Sequence, residues 1–215
     1  MPKRESRFSP GTLIGMLVVV AALAAVLAYF GSRKAPEDAA TVQGTADIGG
    51  PFTLTDQNGQ TVTDADFRGS LMLVFFGYTS CPDVCPLTLS AMTQALDQMG
   101  DDAESVVPVF ITVDPERDTV EKLHEFAARF HPSLVALTGT PEQIAQAAEA
   151  YHVYYKRAPM DMHREGGEHA GHDMSGYAMD HTSIIYLMGR DGEYLAHFDP
   201  NTTPEHMAAG IAQHL

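Results

Sequence analysis

The chain has 215 residues, 45% of them hydrophobic and 19% charged, with a formal net charge of −15. Residues 1–34 carry five Lys/Arg against one acid, leaving eight basic against 27 acidic side chains beyond Lys34, a net −19. So acidic a body argues against a nucleic-acid partner, and the stretch after Lys34 suits one domain with a sizeable core.

Gly11 to Phe30 reads GTLIGMLVVVAALAAVLAYF and contains no charge. As a helix such a segment spans about 30 Å, the hydrocarbon thickness of a bilayer. It is expected to be a transmembrane anchor over 11–30, because a cleaved signal peptide has a shorter apolar stretch and a clear small-residue cleavage site. Lys3, Arg4 and Arg7 precede it, so the positive-inside preference puts residues 1–10 in the cytoplasm and everything after Lys34 on the far side of the membrane. Residues 31–50, rich in Ala, Gly and Thr, read as a linker to a domain over 51–215.

Phe52-Thr53-Leu54, a turn at Asn58-Gly59 and Thr61-Val62-Thr63 predict an N-terminal β-hairpin. Leu71 to Phe76 is a continuous apolar run, typical of a strand covered on both faces. After the stretch GYTSCPDVCP, Leu89, Met92, Leu96 and Met99 recur at helical spacing. Val106 to Val113 is a second buried strand; Asp118 and Glu121 have the spacing of a capping box for a helix burying Leu123, Phe126, Ala127 and Phe130. A short strand at Leu134–Leu137 precedes Thr140-Pro141-Glu142-Gln143, which opens a helix presenting Ile144, Ala147, Ala148 and Tyr151. Strands at His152–Lys156 and Ser183–Met188 flank a long polar insert; Arg190-Asp191-Gly192 turns the chain into Glu193–Phe198, and Thr203-Pro204 starts a last helix. Strands alternating with helices imply an α/β sheet flanked by helices on both faces.

Cys81 and Cys85 are the only cysteines, and an anchored domain facing an oxidising compartment exposes them to disulfide formation unless something reduces or occupies them. A structural bridge closing so short a loop contributes little. A redox pair and a metal clamp both remain open, since the thiolate is nucleophile and ligand alike and a helix N-terminus lowers a thiol pKa. If Cys85 lies in the first helical turn, positions four apart bring both sulfurs to one side. Two soft sulfurs select soft ions such as Cu(I), and a third donor completes a trigonal site. Ten histidines compete for that role. His181 stands out because it just precedes an apolar strand, where it can face the mouth of the sheet, whereas His124, His131, His206 and His214 fall in or beside helices.

Phe75-Phe76-Gly77-Tyr78 leading into Cys81-Pro82-Asp83-Val84-Cys85-Pro86, then Val113-Asp114-Pro115-Glu116-Arg117-Asp118-Thr119, then Asp180-His181-Thr182, resemble the Sco/SenC family in motif and in order. The likeness covers residues from about Gly50 to Leu215. It implies a thioredoxin-like, membrane-anchored copper protein that helps assemble the CuA centre of cytochrome c oxidase. By resemblance, Cys81, Cys85 and His181 bind copper, as Cu(I) and also as Cu(II), and the partners are the CuA-bearing oxidase subunit and a copper-donor chaperone. No substrate turnover is expected of a metallochaperone; reduction of the oxidase cysteines by a thiol-disulfide oxidoreductase is the alternative. The VDPERDT stretch is read as strand end, turn and helix cap, with no catalytic role. The insert from 160 to 179 is richer in His and Met than the family's usual hairpin. Its Met160, Met162, His163, His169, His172, Met174 and Met179 form a candidate auxiliary copper-collecting set.

Overall fold

The computed structural model describes residues 47–159 and 177–215. The expected anchor over 11–30, the linker up to residue 46 and the insert over 160–176 lie outside the described residues. Among the described residues no helix is long and apolar enough to cross a membrane.

A mixed sheet forms the frame. Strand β1 (Thr53–Asp56) pairs antiparallel with β2 (Thr61–Thr63), as the hairpin pattern requires, with Gly59 at φ +78° in the turn and the Asp56 carboxylate accepting the Asn58 and Gln60 amides. The apolar runs become β3 (Leu71–Gly77) and β4 (Val106–Thr112), which pair in parallel along their whole length. Every residue of β3 is buried, so the strand contributes apolar side chains to both faces. With β5 (Val135–Thr138), β8 (Ile185–Met188) and β9 (Tyr194–Phe198), the order across the sheet is β2-β1-β5-β4-β3-β8-β9. The β3, β4 and β5 strands run parallel, and β1, β8 and β9 are joined antiparallel at the flanks.

Among the described residues four α-helices cover this sheet: α1 (Val84–Met99), α2 (Val120–Ala127), α3 (Pro141–Ala150) and α4 (Pro204–Ala212). Phe75 and Phe110 meet on one face, Phe126 of α2 joins Phe110 there, and α1 packs against α4. On the opposite face Phe76 meets Tyr151, at the end of α3, which in turn meets Tyr186. Helices therefore flank both faces of an α/β, thioredoxin-like sheet. Thr140 closes a full capping box with Gln143, and Thr203 accepts the His206 amide, both as the sequence predicts.

Three local expectations are corrected. Thr119, not Asp118, caps α2 by accepting the Lys122 amide, and Asp118 points into the protein. Phe130 lies beyond α2, which ends at Ala127. His152 belongs to no strand; at φ +53° it ends α3, with His152 N–H bonded to the Glu149 carbonyl and Val153 N–H to Ala148. That is the closure glycine usually supplies after a helix. The strand begins at Tyr155 instead: β6 (Tyr155–Pro159) pairs with β7 (Tyr177–His181) as a separate two-stranded hairpin. Alternation along β7 puts Tyr177, Met179 and His181 on one face. Met179 is buried in the core, so it is packed on a strand and does not project from a loop as the auxiliary set requires. Met160, Met162, His163, His169, His172 and Met174 lie outside the described residues.

Candidate metal centre

The cysteine stretch sits where β3 ends and α1 begins. Asp83 stands at the N-cap of α1 but gives no side-chain cap. The Sγ of Cys81 folds back instead and accepts the Cys85 amide at 3.4 Å, meeting one of the donors that a helix start leaves unpaired. The two sulfurs therefore converge through this turn, with only Cys85 inside the helix; shared helical face is not the reason. Both cysteines are free, Cys85 fully buried and Cys81 half-buried.

His181 closes the group from the end of β7. Its Nε2 lies 3.5 Å from Cys85 Sγ, across 96 residues of sequence. Its Nδ1 sits 2.9 Å from the Thr182 carbonyl, an acceptor, so the ring proton belongs on Nδ1 and the Nε2 lone pair faces the sulfurs. The Phe75 and Tyr78 rings meet the imidazole edge to face at 6.2 and 5.8 Å and fix its plane. Among the described residues no group of three or more His, Cys, Asp or Glu side chains is placed so that it could hold a metal ion; Cys81, Cys85 and His181 stand as close pairwise contacts. His124 and His206 are exposed, and His131 and His214 half-buried.

The thiols share their protons unequally. A hydrogen bond from Cys85, helped by His181 and by the Cys85 and Asp83 amides, lowers the Cys81 pKa to about 4 against the opposing effect of burial. Cys85 is pushed the other way by its bond to the Cys81 sulfur and by burial. The pair thus holds one proton between two sulfurs over most of the pH range, and each value belongs to the pair. Burial, with the Cys81 charge added, raises the Tyr78 hydroxyl to about 12, so it stays protonated beside them.

Three features of the site are absent from the sequence reading. Gly77 leaves room for Cys85: a Cβ there would lie 2.9 Å from Cys85 Sγ and 2.8 Å from the Phe110 ring. Asp118, fully buried, accepts the Thr79 amide at 2.9 Å and the Thr79 and Thr112 hydroxyls at 2.5 Å, tying the cysteine stretch to the end of β4. Burial raises its pKa, while those three bonds act in the opposite sense. Arg117 reaches from the same turn to the β6–β7 hairpin, bonding Asp114 and the Tyr177 carbonyl. Only the paired acids of VDPERDT, spaced four apart, hint at these contacts in the sequence.

Residues 40–215 match the SCO1/SenC family profile. The chain belongs to the SCO1/SenC family. Family relatives include the mitochondrial SCO1 homolog of Homo sapiens, 42% identical over 170 residues, covering 78% of this chain and 53% of the human protein. A SCO2-like protein of Rickettsia prowazekii is 41% identical over 151 residues, 70% of this chain and 69% of that protein. The chain thus spans about half the length of the human relative it matches. Among solved family structures, Bradyrhizobium japonicum ScoI with copper bound is 45% identical with a TM-score of 0.67, covering 78% of this chain and 99% of that one. Yeast Sco1 with copper bound is 30% identical with the same TM-score, covering 79% and 88%. Copper is therefore bound by members of the family that share this fold.

Proposed function

We propose that this protein is a membrane-anchored, periplasm-facing copper chaperone that holds one copper ion between Cys81, Cys85 and His181 and passes it to the CuA-bearing subunit of cytochrome c oxidase. The observation that carries the reading is the 3.5 Å approach of His181 Nε2 to a buried, free Cys85 thiol that is hydrogen-bonded to Cys81. Two thiolates and one neutral imidazole make a soft trigonal set suited to Cu(I). Copper is cargo here. Entry displaces the proton that the sulfur pair shares, so binding releases protons and weakens as pH falls. Half-exposed Cys81 is the sulfur open to an incoming ligand, and buried Cys85 is the one held back. Copper then leaves by exchange of one ligand at a time, with no bond of the protein broken. The copper bound in Bradyrhizobium japonicum ScoI and in yeast Sco1 supports this assignment.

A second reading has its own observation. A half-exposed thiol with a strongly lowered pKa beside a buried partner is also an attacking and resolving pair, fit to reduce oxidase cysteines before metallation. Anaerobic Cu(I) titration of the reduced full chain against a competing chelator separates the two. The chaperone predicts tight one-to-one binding in wild type, lost in Cys81→Ser and Cys85→Ser and sharply weakened in His181→Ala. Wild-type affinity in His181→Ala, with disulfide exchange intact, would leave only the second reading. The His- and Met-bearing insert is proposed to collect copper for this clamp, and a copper-donor protein to supply it.

A further inference from the structure

We infer that the turn from Asp114 to Asp118 is a two-armed brace that sets the distance between the cysteine stretch and the His181-bearing hairpin, with Arg117 and Tyr177 as positioning residues. The inference rests on the clamp reading and deepens it. The β6–β7 hairpin is not a strand pair of the main sheet, so its hydrogen-bonded ladder does not fix where His181 falls. Something else must hold it. At its His181 end the hairpin is closed on itself, where Tyr154 N–H bonds the Thr182 hydroxyl and Thr182 N–H bonds the Tyr154 carbonyl.

The other end, about 14 Å away along β7 at the usual strand rise, is gripped from outside. The Arg117 guanidinium lies over the Tyr177 ring, 3.9 Å from its centroid, and donates to the Tyr177 carbonyl at 3.0 Å. It also pairs with Asp114, whose other oxygen accepts the Tyr177 hydroxyl at 2.9 Å. Arg157, held by Glu116 at 2.5 Å, meets Tyr177 at 4.7 Å, so two guanidinium groups contact this one ring. Among the described residues the buried Arg117 Nη2 has no hydrogen-bond partner, a desolvation cost that such ring contacts offset.

The second arm points to the cysteines. Asp118, the next residue, holds Thr79 by two bonds, two positions before Cys81. Arg117 also stands 5.7 Å from the Tyr78 ring, which meets the His181 imidazole edge to face. One five-residue turn, stiffened by Arg117 and Asp118 amides bonded back to the Asp114 carbonyl, thus contacts both halves of the clamp. Loss of the Arg117 arm removes the carbonyl bond and the closer ring contact at Tyr177, leaving the Asp114 bond, Arg157 and the buried Met179 to hold the hairpin, and loosens the approach of the imidazole to Cys85.

The test uses the full chain, reduced and purified in mild detergent, as wild type, Arg117→Ala, Tyr177→Phe and the exposed-site control Arg129→Ala. Cu(I) affinity is read by chelator competition, and backbone hydrogen exchange is read on the copper-free protein. A brace predicts that Arg117→Ala weakens Cu(I) binding by about 10- to 100-fold, the usual cost of losing an outer-shell partner. Tyr177→Phe, which keeps the ring and loses only the hydroxyl, changes affinity in the same sense by less, and Arg129→Ala by nothing. Exchange should quicken at residues 178–181 while β3 and β4 stay protected. In a His181→Ala background Arg117→Ala should cost less than twofold more, since the imidazole it positions is gone. Unchanged hairpin exchange, or an equal affinity loss with and without His181, would overturn the brace. Should wild type bind no Cu(I), the clamp reading falls, while the exchange data still decide whether Arg117 holds the hairpin.

Discussion

Gly77→Ala puts one methyl group between the cysteine that closes the clamp and the aromatic core. The new carbon would meet the Phe110 ring at 2.8 Å, Cys85 Sγ at 2.9 Å and the Phe75 ring at 3.1 Å, all closer than ordinary contact. Gly77 is not in the left-handed region, so its backbone accepts alanine and the effect is purely one of space. Neither ring has slack, as both are fully buried. Overpacking of this kind costs about 1–3 kcal/mol. In a domain of this size that lowers Tm by roughly 2 to 12 °C. The sulfur is the softest neighbour, and restoring ordinary contact shifts it by about half an ångström, which disturbs its 3.5 Å contact with His181. Thermal melts by circular dichroism, paired with Cu(I) competition, should therefore show a lower Tm and weaker copper binding together. A variant with wild-type Tm and wild-type copper affinity would refute the packing argument.

Three further outcomes follow from the same geometry. Alkylation of the reduced, copper-free chain should occur at Cys81 first, with a rate nearly flat from pH 6 to 8 because its thiolate already predominates above about 4. A rate rising about tenfold per pH unit, as for an ordinary thiol near 8.5, would contradict the lowered value. Asp118→Ala leaves the Thr79 amide and two hydroxyls without their acceptor, and should cost about 1–3 kcal/mol per group left unpaired in urea unfolding. Replacing residues 160–176 by a two-residue Asn-Gly turn should be tolerated, because Pro159 and Tyr177 are paired across the hairpin and their Cα atoms lie about 5 Å apart. That deletion should remove weak extra Cu(I) equivalents and leave the tight one, as read by titration; unchanged stoichiometry would strip the insert of its collecting role.

Local patterns carried most of the frame. The apolar run at Leu71–Phe76, the Thr140-Pro141-Gln143 box and the Thr203-Pro204 start each act within a few residues, and the structure follows them. Asp118 was misread because D-x-x-E looks the same whether its acid caps a helix or bonds Thr79, 39 residues away. Strand β7 hid inside an apparently polar insert since its pairing with β6, not a hydrophobic run, makes it a strand. Met179 likewise counted as a loop donor until β7 buried it. The cysteines announced themselves by spacing, yet the approach of His181 spans 96 residues and depends on where a separate hairpin settles. Its place just before an apolar strand set it apart from the other histidines, and the family resemblance marked it as a ligand.

X-ray absorption at the copper edge of the Cu(I)-loaded full chain examines the clamp most directly, by counting the atoms bonded to the metal. The account predicts two sulfur neighbours and one nitrogen with imidazole scattering, the nitrogen vanishing in His181→Ala. A shell of sulfur alone in the wild type, or a spectrum unchanged by that substitution, would contradict it.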